Sequence, residues 1–197
     1  MKVGVVALQG AFREHRELLD ALGVDAVEVR TPAALDPLDA LILPGGESTT
    51  IGKLLVSSGL LPALTACLDE GLPVLGTCAG AILLATTVLD GRADQPCLRA
   101  LDVTVRRNGY GTQLQSFEAP LDVTELGGRP FPGVFIRAPL LERTGPAVDV
   151  LARHDGHPVL VRQGSVWAST FHPELSGDTR IHERFLHQDR QPPKGVR

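Results

Sequence analysis

The chain has 197 residues, 43% of them hydrophobic and 21% charged, with a formal net charge of −4. That balance describes one ordinary globular core and argues against nucleic acid as a partner, while no apolar run approaches the ~20 residues that span a membrane. Three cysteines, Cys67, Cys78 and Cys97, form no CxxC pair, which points away from a disulfide framework or metal site and toward the cytoplasm.

"KVGVVAL" at residues 2–8 reads as a buried first strand, and Gln9 and Gly10 follow where a signal peptide would continue its apolar core. "AFREHRELLDALG" predicts a helix with Phe12, His15, Leu18, Leu19 and Leu22 on one face and Gly23 as its stop. "DAVEV" and "DALILP" are expected strands, "ESTTIGKLLVSSG" and "LLPALTACLDEG" helices, "PVLGT" a strand and "AGAILLATTV" a helix. This βα alternation, with nearly all-apolar strands, indicates a parallel sheet covered by helices on both faces. From about residue 97 strands dominate: "LRALDVTVRRN", "GVFIRAP" and "VDVLARHDGHPVLVRQGSVWASTF", with Asp155-Gly156 marking a hairpin. They are expected to extend the same sheet with antiparallel strands. A last helix, "DTRIHERFLHQ", precedes "DRQPPKGVR", which reads as a frayed tail.

The stretch Gly76-Thr77-Cys78-Ala79-Gly80 is G-x-C-x-G, the cysteine form of a nucleophile elbow. A side chain on so sharp a strand-to-helix turn is crowded by its neighbours, so its flanks must be small. An ordinary thiol is only roughly 3% thiolate at pH 7; a helix N-terminus and a nearby imidazolium raise that fraction. Taken alone, the same stretch also suits a buried structural cysteine. Cys67 and Cys97 read as structural. In "TFHPEL", His172 and Glu174 flank Pro173, which pushes His172 toward an extended backbone; residues i and i+2 then project to one side. Glu174 would orient the imidazole while His172 exchanges a proton with Cys78. His15, His154, His157, His182 and His187 have no such company and read as surface or core residues. In "LILPGGEST" a strand runs into Pro44-Gly45-Gly46, where two glycines let backbone N–H groups turn toward a developing negative charge; the N–H of Ala79 is the natural second donor. Lys53 lacks the spacing of a phosphate loop.

Together, "LILPGGEST", "GTCAGAILLA" and "FHPEL" resemble class I (triad) glutamine amidotransferases. With "VALQGAFREH", "RRNGYGTQLQSFE" and "VFIRAP", the likeness narrows to the glutaminase subunits of pyridoxal 5′-phosphate synthase and runs from about residue 2 to about 188. The resemblance implies an α/β fold, a three-layer αβα sandwich with a mostly parallel, flavodoxin-like mixed sheet. It implies one amidotransferase domain over 1–190 and a flexible tail over 191–197. It implies hydrolysis of L-glutamine to glutamate and ammonia without metal or organic cofactor, the ammonia passing to a (βα)8-barrel synthase subunit in a hetero-oligomer. By the same resemblance Cys78 is the nucleophile, His172 the general acid/base and Glu174 its orienting partner. Gly46, Glu47 and Ser48 match the glutamine-binding loop, Arg107, Ile136 and Arg137 match further substrate contacts, and Gln9 and Gly10 match the segment that responds to the synthase. From the residues alone, either Arg107 or Arg137 would offset the glutamine carboxylate and Glu47 would accept from its ammonium. Tyr110, the loop "DGRADQPC" and the tail lie outside the matching blocks.

Two other readings use the same residues. One is an elbow-cysteine enzyme related in fold to the DJ-1 group. The other is a non-catalytic, amidotransferase-like binding module, and ammonia release from glutamine separates it from a glutaminase.

Overall fold

The computed structural model describes residues 1–92, 94–107, 109 and 116–188. The first half folds as the alternation predicts: β1 Lys2–Val6, α1 Phe12–Ala21, β2 Asp25–Val29, β3 Ala40–Leu43, α2 Ser48–Ser57, α3 Leu60–Asp69, β4 Val74–Thr77 and α4 Ala79–Leu84. The second half contributes β5 Ala85–Leu89, β6 Leu101–Arg106, β7 Ser116–Leu121, β8 Phe131–Ile136, β9 Leu140–Thr144, β10 Asp149–His154, β11 His157–Gln163, β12 Val166–Ser169 and α5 Arg180–Leu186.

The central sheet has seven strands in the order β10-β11-β12-β4-β3-β1-β2. Strands β2, β1, β3, β4 and β12 run parallel, and β11 and β10 add antiparallel pairs at one edge. The parallel part is thus a flavodoxin-like 2-1-3-4-5 order, with β12 as its fifth strand and the topological switch between β1 and β3. Alternate residues of each strand feed opposite faces. Leu41 and Leu43 join α2, α3 and α4 in one core, together with Leu101, Val103, Val105 and Leu141 from the strands above. Ala40 and Ile42 join Leu19 of α1, Ile181 and Phe185 of α5, and Phe131 and Phe135 of β8 in the other. Three layers result, as expected. Among the described residues no single helix is long and apolar enough to cross a membrane.

Three expectations need correction. The helix read over "AGAILLATTV" stops at Leu84, and Ala85–Leu89 is the strand β5. Thr86, Thr87 and Val88 are β-branched and favour a pleated strand, and the Thr86 hydroxyl donates to Leu101 O at 2.8 Å across the pair. The later strands extend the central sheet only in part: β12 inserts parallel to β4, whereas β5-β6-β9 and β7-β8 form sheets of their own. Strands β7 and β9 had no counterpart in the sequence reading. The Asp155-Gly156 hairpin is present, with φ of 48° and 79° at its two central residues, the left-handed conformations a two-residue turn demands. The tail over 191–197 and Tyr110 lie outside the described residues.

Candidate active site

Four connections leave the carboxyl ends of parallel strands and converge, as ligand sites of open α/β sheets do. Gln9 and Gly10 follow β1, Gly45 to Ser48 follow β3, Cys78 follows β4 and His172 follows β12. With Arg107 beyond β6 and Ile136-Arg137 at the end of β8, they line a cleft of ≈ 430 Å³.

Cys78 has φ 49° and ψ −100°, a left-handed conformation that costs a non-glycine residue about 1–3 kcal/mol and persists where the surroundings enforce it. The surroundings here leave no slack. A Cβ on Gly80 would lie 2.1 Å from Leu43 O, and one on Gly76 2.7 Å from the Gly80 carbonyl carbon. The Cys78 N–H donates to Ser169 O at 2.8 Å, which fixes the elbow against β12. The thiol faces Ile136 O at 4.0 Å and shares the cleft lining with the His172 imidazole.

His172 and Glu174 meet, but not by the extended geometry that the sequence suggested. Pro173–Leu175 form a 3-10 turn, and His172 itself has φ −105° and ψ 86°. The turn curls Glu174 beneath the ring, so that His172 Nδ1 lies 2.7 Å from Glu174 Oε1. Backbone pairing of His172 N–H with Val134 O at 2.8 Å anchors the segment to β8. Burial works against a charged imidazole, but interactions with Cys78 and Glu174 outweigh it and push His172 up to about 10. Burial also works against the Glu174 carboxylate; His15 and His172 beside it hold it below the usual range nonetheless.

The Gly45-Gly46 turn is tied on both sides. Gly45 N–H donates to Thr77 Oγ1 at 3.0 Å, Gly45 O accepts from Ala11 N–H at 2.9 Å, and Glu47 N–H donates to Gln9 Oε1 at 2.8 Å. Among the described residues, the amides of Gly46 and Ala79 have no acceptor. Glu47 caps α2: its carboxylate accepts from Thr49 N–H at 3.0 Å and from Thr50 N–H and Oγ1–H at 2.7 Å each. Partial burial opposes its ionisation, but the Thr50 and Thr49 hydrogen bonds hold it down at about 2. Arg107 Nη2 lies 3.1 Å from Glu47 Oε1, so the two groups expected to receive opposite ends of an amino acid pair with each other here. Arg137, at φ 45°, has no ion-pair partner among the described residues.

Gln9, Gly10, Gly46, Glu47, Ser48, Cys78, Arg107, Ile136, Arg137 and His172 all line the cleft; Glu174 sits beneath His172, and Ala79 opens α4. Sequence reasoning missed Glu14, Ile82 and Leu175 on the cleft wall. It also missed a buried cluster behind it: His15, read as having no chemical company, lies 3.4 Å from Glu174 Oε2. Its place on the apolar face of α1 was the available signal, but a helix face does not reveal which distant residue it meets. His154, by contrast, packs on the rings of Phe117 and Phe135, and His157 and His187 are exposed. Among the described residues, no group of three or more His, Cys, Asp or Glu is placed to hold a metal ion.

Comparison with known proteins agrees with this geometry. The SNO glutamine amidotransferase family matches residues 5–191. A Roseiflexus sp. (strain RS-1) protein named pyridoxal 5′-phosphate synthase subunit PdxT is 56% identical over 187 residues, covering 94% of this chain and 99% of that one. A Frankia alni protein of the same name is 55% identical over 185 residues, 94% of this chain and 93% of that one. A crystal structure of a glutamine amidotransferase superposes with a TM-score of 0.89 at 54% identity, covering 93% of this chain and 96% of the other. A match running almost from end to end, with more than half the residues shared, leaves one conclusion: this chain belongs to the SNO glutamine amidotransferase family.

Proposed function

We propose that the chain hydrolyses the side-chain amide of L-glutamine to L-glutamate and ammonia, and hands the ammonia to the subunit that builds pyridoxal 5′-phosphate. The observation that carries this reading is the buried His172–Glu174 pair at 2.7 Å beside an elbow cysteine, in a cleft at the carboxyl edge of the sheet. Family membership supplies the reaction class.

In this scheme the Cys78 sulfur attacks the side-chain amide carbon of glutamine, and the carbonyl oxygen takes up negative charge. The uncommitted amides of Gly46 and Ala79 stabilise that oxyanion. His172, held protonated beside Glu174, gives its proton to the departing nitrogen, and ammonia leaves a γ-glutamyl thioester on Cys78. The now neutral His172 then takes a proton from water as the water attacks the thioester. Sulfur departs and glutamate is released. Cysteine, imidazole, carboxylate and water supply all the chemistry.

The substrate's charged end meets Glu47, Ser48, Arg107 and the Ile136-Arg137 segment. Of the two cleft arginines, Arg107 pairs with Glu47 whereas Arg137 has no competing carboxylate among the described residues, which favours Arg137 as the partner of the glutamine carboxylate. A charge-assisted hydrogen bond of ~1.5–3 kcal/mol corresponds to a KM rising roughly ten- to hundredfold in Arg137→Ala, with kcat nearly unchanged. Steady-state kinetics check this; an unchanged KM assigns the contact to Arg107.

The relatives named as synthase subunits support a synthase partner, which we take to be a (βα)8 barrel joined in a hetero-oligomer. A nucleophile that depends on a free thiol suits the cytoplasm. Ammonia release from glutamine, measured with and without the synthase subunit, tests the assignment: slow turnover alone and fast turnover in the complex are expected. Correctly folded protein that releases none under either condition is a binding module instead.

A further inference from the structure

Behind the triad lies a polar cluster that the scheme above leaves unused. His15 of α1, Thr77 at the end of β4 and His182 of α5 are each 0% exposed. His15 Nε2 lies 3.4 Å from Glu174 Oε2 and 3.2 Å from Thr77 Oγ1, and His15 Nδ1 lies 3.0 Å from His182 Nε2. His172 takes the other carboxylate oxygen, Oε1.

The protons can be placed by satisfying this network. Glu174 Oε2 is buried and accepts no hydrogen bond among the described residues; His15 Nε2 faces it at 3.4 Å. A buried carboxylate oxygen without a donor is costly. With its proton on Nε2, His15 directs that N–H between Thr77 Oγ1 at 3.2 Å and Glu174 Oε2 at 3.4 Å, and its Nδ1 accepts from His182 Nε2–H. The opposite tautomers fail twice: a nitrogen lone pair would face the carboxylate, and His182 Nδ1, buried without a partner, would become an orphaned donor. Burial keeps both rings neutral: it pushes His15 below the usual imidazole range and His182 down to about 3. The titratable groups facing His15 are Glu174 and His172 after β12, His182 from α5 and Glu14 on its own helix.

We propose that His15 is a positioning residue of the glutaminase reaction: its Nε2–H holds the second oxygen of Glu174, keeping that carboxylate ionised and turned toward His172, while His182 fixes the His15 tautomer. The proposal rests on the glutaminase reading and deepens it. The entry to the same helix also braces the Gly45 turn, since Ala11 N–H, just before α1, donates to Gly45 O and Thr77 Oγ1 links the Gly45 amide to His15.

The test compares the wild type, His15→Ala and His15→Gln, each assembled with the synthase, by glutaminase kinetics across pH and normalised by titrating Cys78 with an electrophilic glutamine analogue. In His15→Ala, kcat is expected to fall roughly ten- to hundredfold with KM within about twofold, since a small misplacement of a catalytic group has an effect of that order. Without its second donor, Glu174 takes up a proton more readily, so the acid limb of the kcat profile moves to higher pH. His15→Gln, whose Nε2–H reaches the same way, is expected to restore most of the rate and return the acid limb. An active wild type with an unchanged kcat or acid limb in His15→Ala overturns the proposal and leaves the glutaminase reading standing; an inactive wild-type complex sinks that reading instead. Should His15→Ala not fold, nitrogen-15 NMR of the wild-type chain decides the matter. His15 is expected to be protonated at Nε2 and not at Nδ1 at neutral and alkaline pH, and a proton on Nδ1 overturns the proposal.

Discussion

Cys78→Ala is expected to lose ammonia release from glutamine by roughly 10³-fold or more, because removing the nucleophile removes the covalent route and leaves substrate binding and the oxyanion donors alone. Alanine keeps the Cβ that the elbow already accommodates at φ 49°, so the fold is expected to survive and bind glutamine. An electrophilic glutamine analogue is expected to label Cys78 in the wild type, detected by mass spectrometry. Cys97 and Cys67 are poor competitors. Burial pushes both thiols up, with Glu70 adding to the effect at Cys67, and Cys97 Sγ faces Ile82 O at 3.8 Å. Residual turnover of several per cent in Cys78→Ala, or an adduct on either other cysteine, contradicts the assignment.

Gly45→Ala is the second large effect. A Cβ there would lie 2.4 Å from His172 Cε1, 3.0 Å from His172 Nδ1 and 3.2 Å from Cys78 Cβ. The imidazole cannot yield cheaply, because it is buried and bound to Glu174 at 2.7 Å. Either the ring shifts and loses that bond or the Gly45 turn moves and takes the Gly46 amide with it. Each outcome displaces a reacting group by about an ångström, which lowers kcat by roughly 10²-fold. Kinetics and thermal unfolding together check this: a drop in kcat of that size with the chain still folded is expected, and wild-type turnover argues that the turn plays no part.

The first half of the fold was legible because each element carries its own local signal. Apolar strands, the periodic face of α1 and the stop at Gly23 are read within ten or twelve residues. The strand β5 was not, since "AILLATTV" is one unbroken apolar and β-branched run and nothing local marks where the helix ends. The small sheets β5-β6-β9 and β7-β8 depend on pairings between distant segments, which no window contains. The site divides the same way. Cys78, His172 and Glu174 announced themselves through the small residues or proline beside them, and the structure brings them together. Glu174 nevertheless reaches His172 through a 3-10 turn, not along an extended strand. His15 gave no such sign. Its contact with Glu174 spans 159 positions of sequence and exists only once α1 packs beside the turn after β12.

Strand β12 lies inside the central sheet, between β4 and β11, although it is the last of the described strands to be made. A ribosome that has delivered Cys78 has therefore delivered neither the neighbour that fixes its elbow nor the base that activates it. The thiol waits unarmed while the next 94 residues, up to His172, are made, and hydrolytic competence arrives late, when Val166–Ser169 slides in beside Val74–Thr77 and brings the imidazole with it. A nascent or clipped chain ending before that point can carry the nucleophile without the power to waste glutamine.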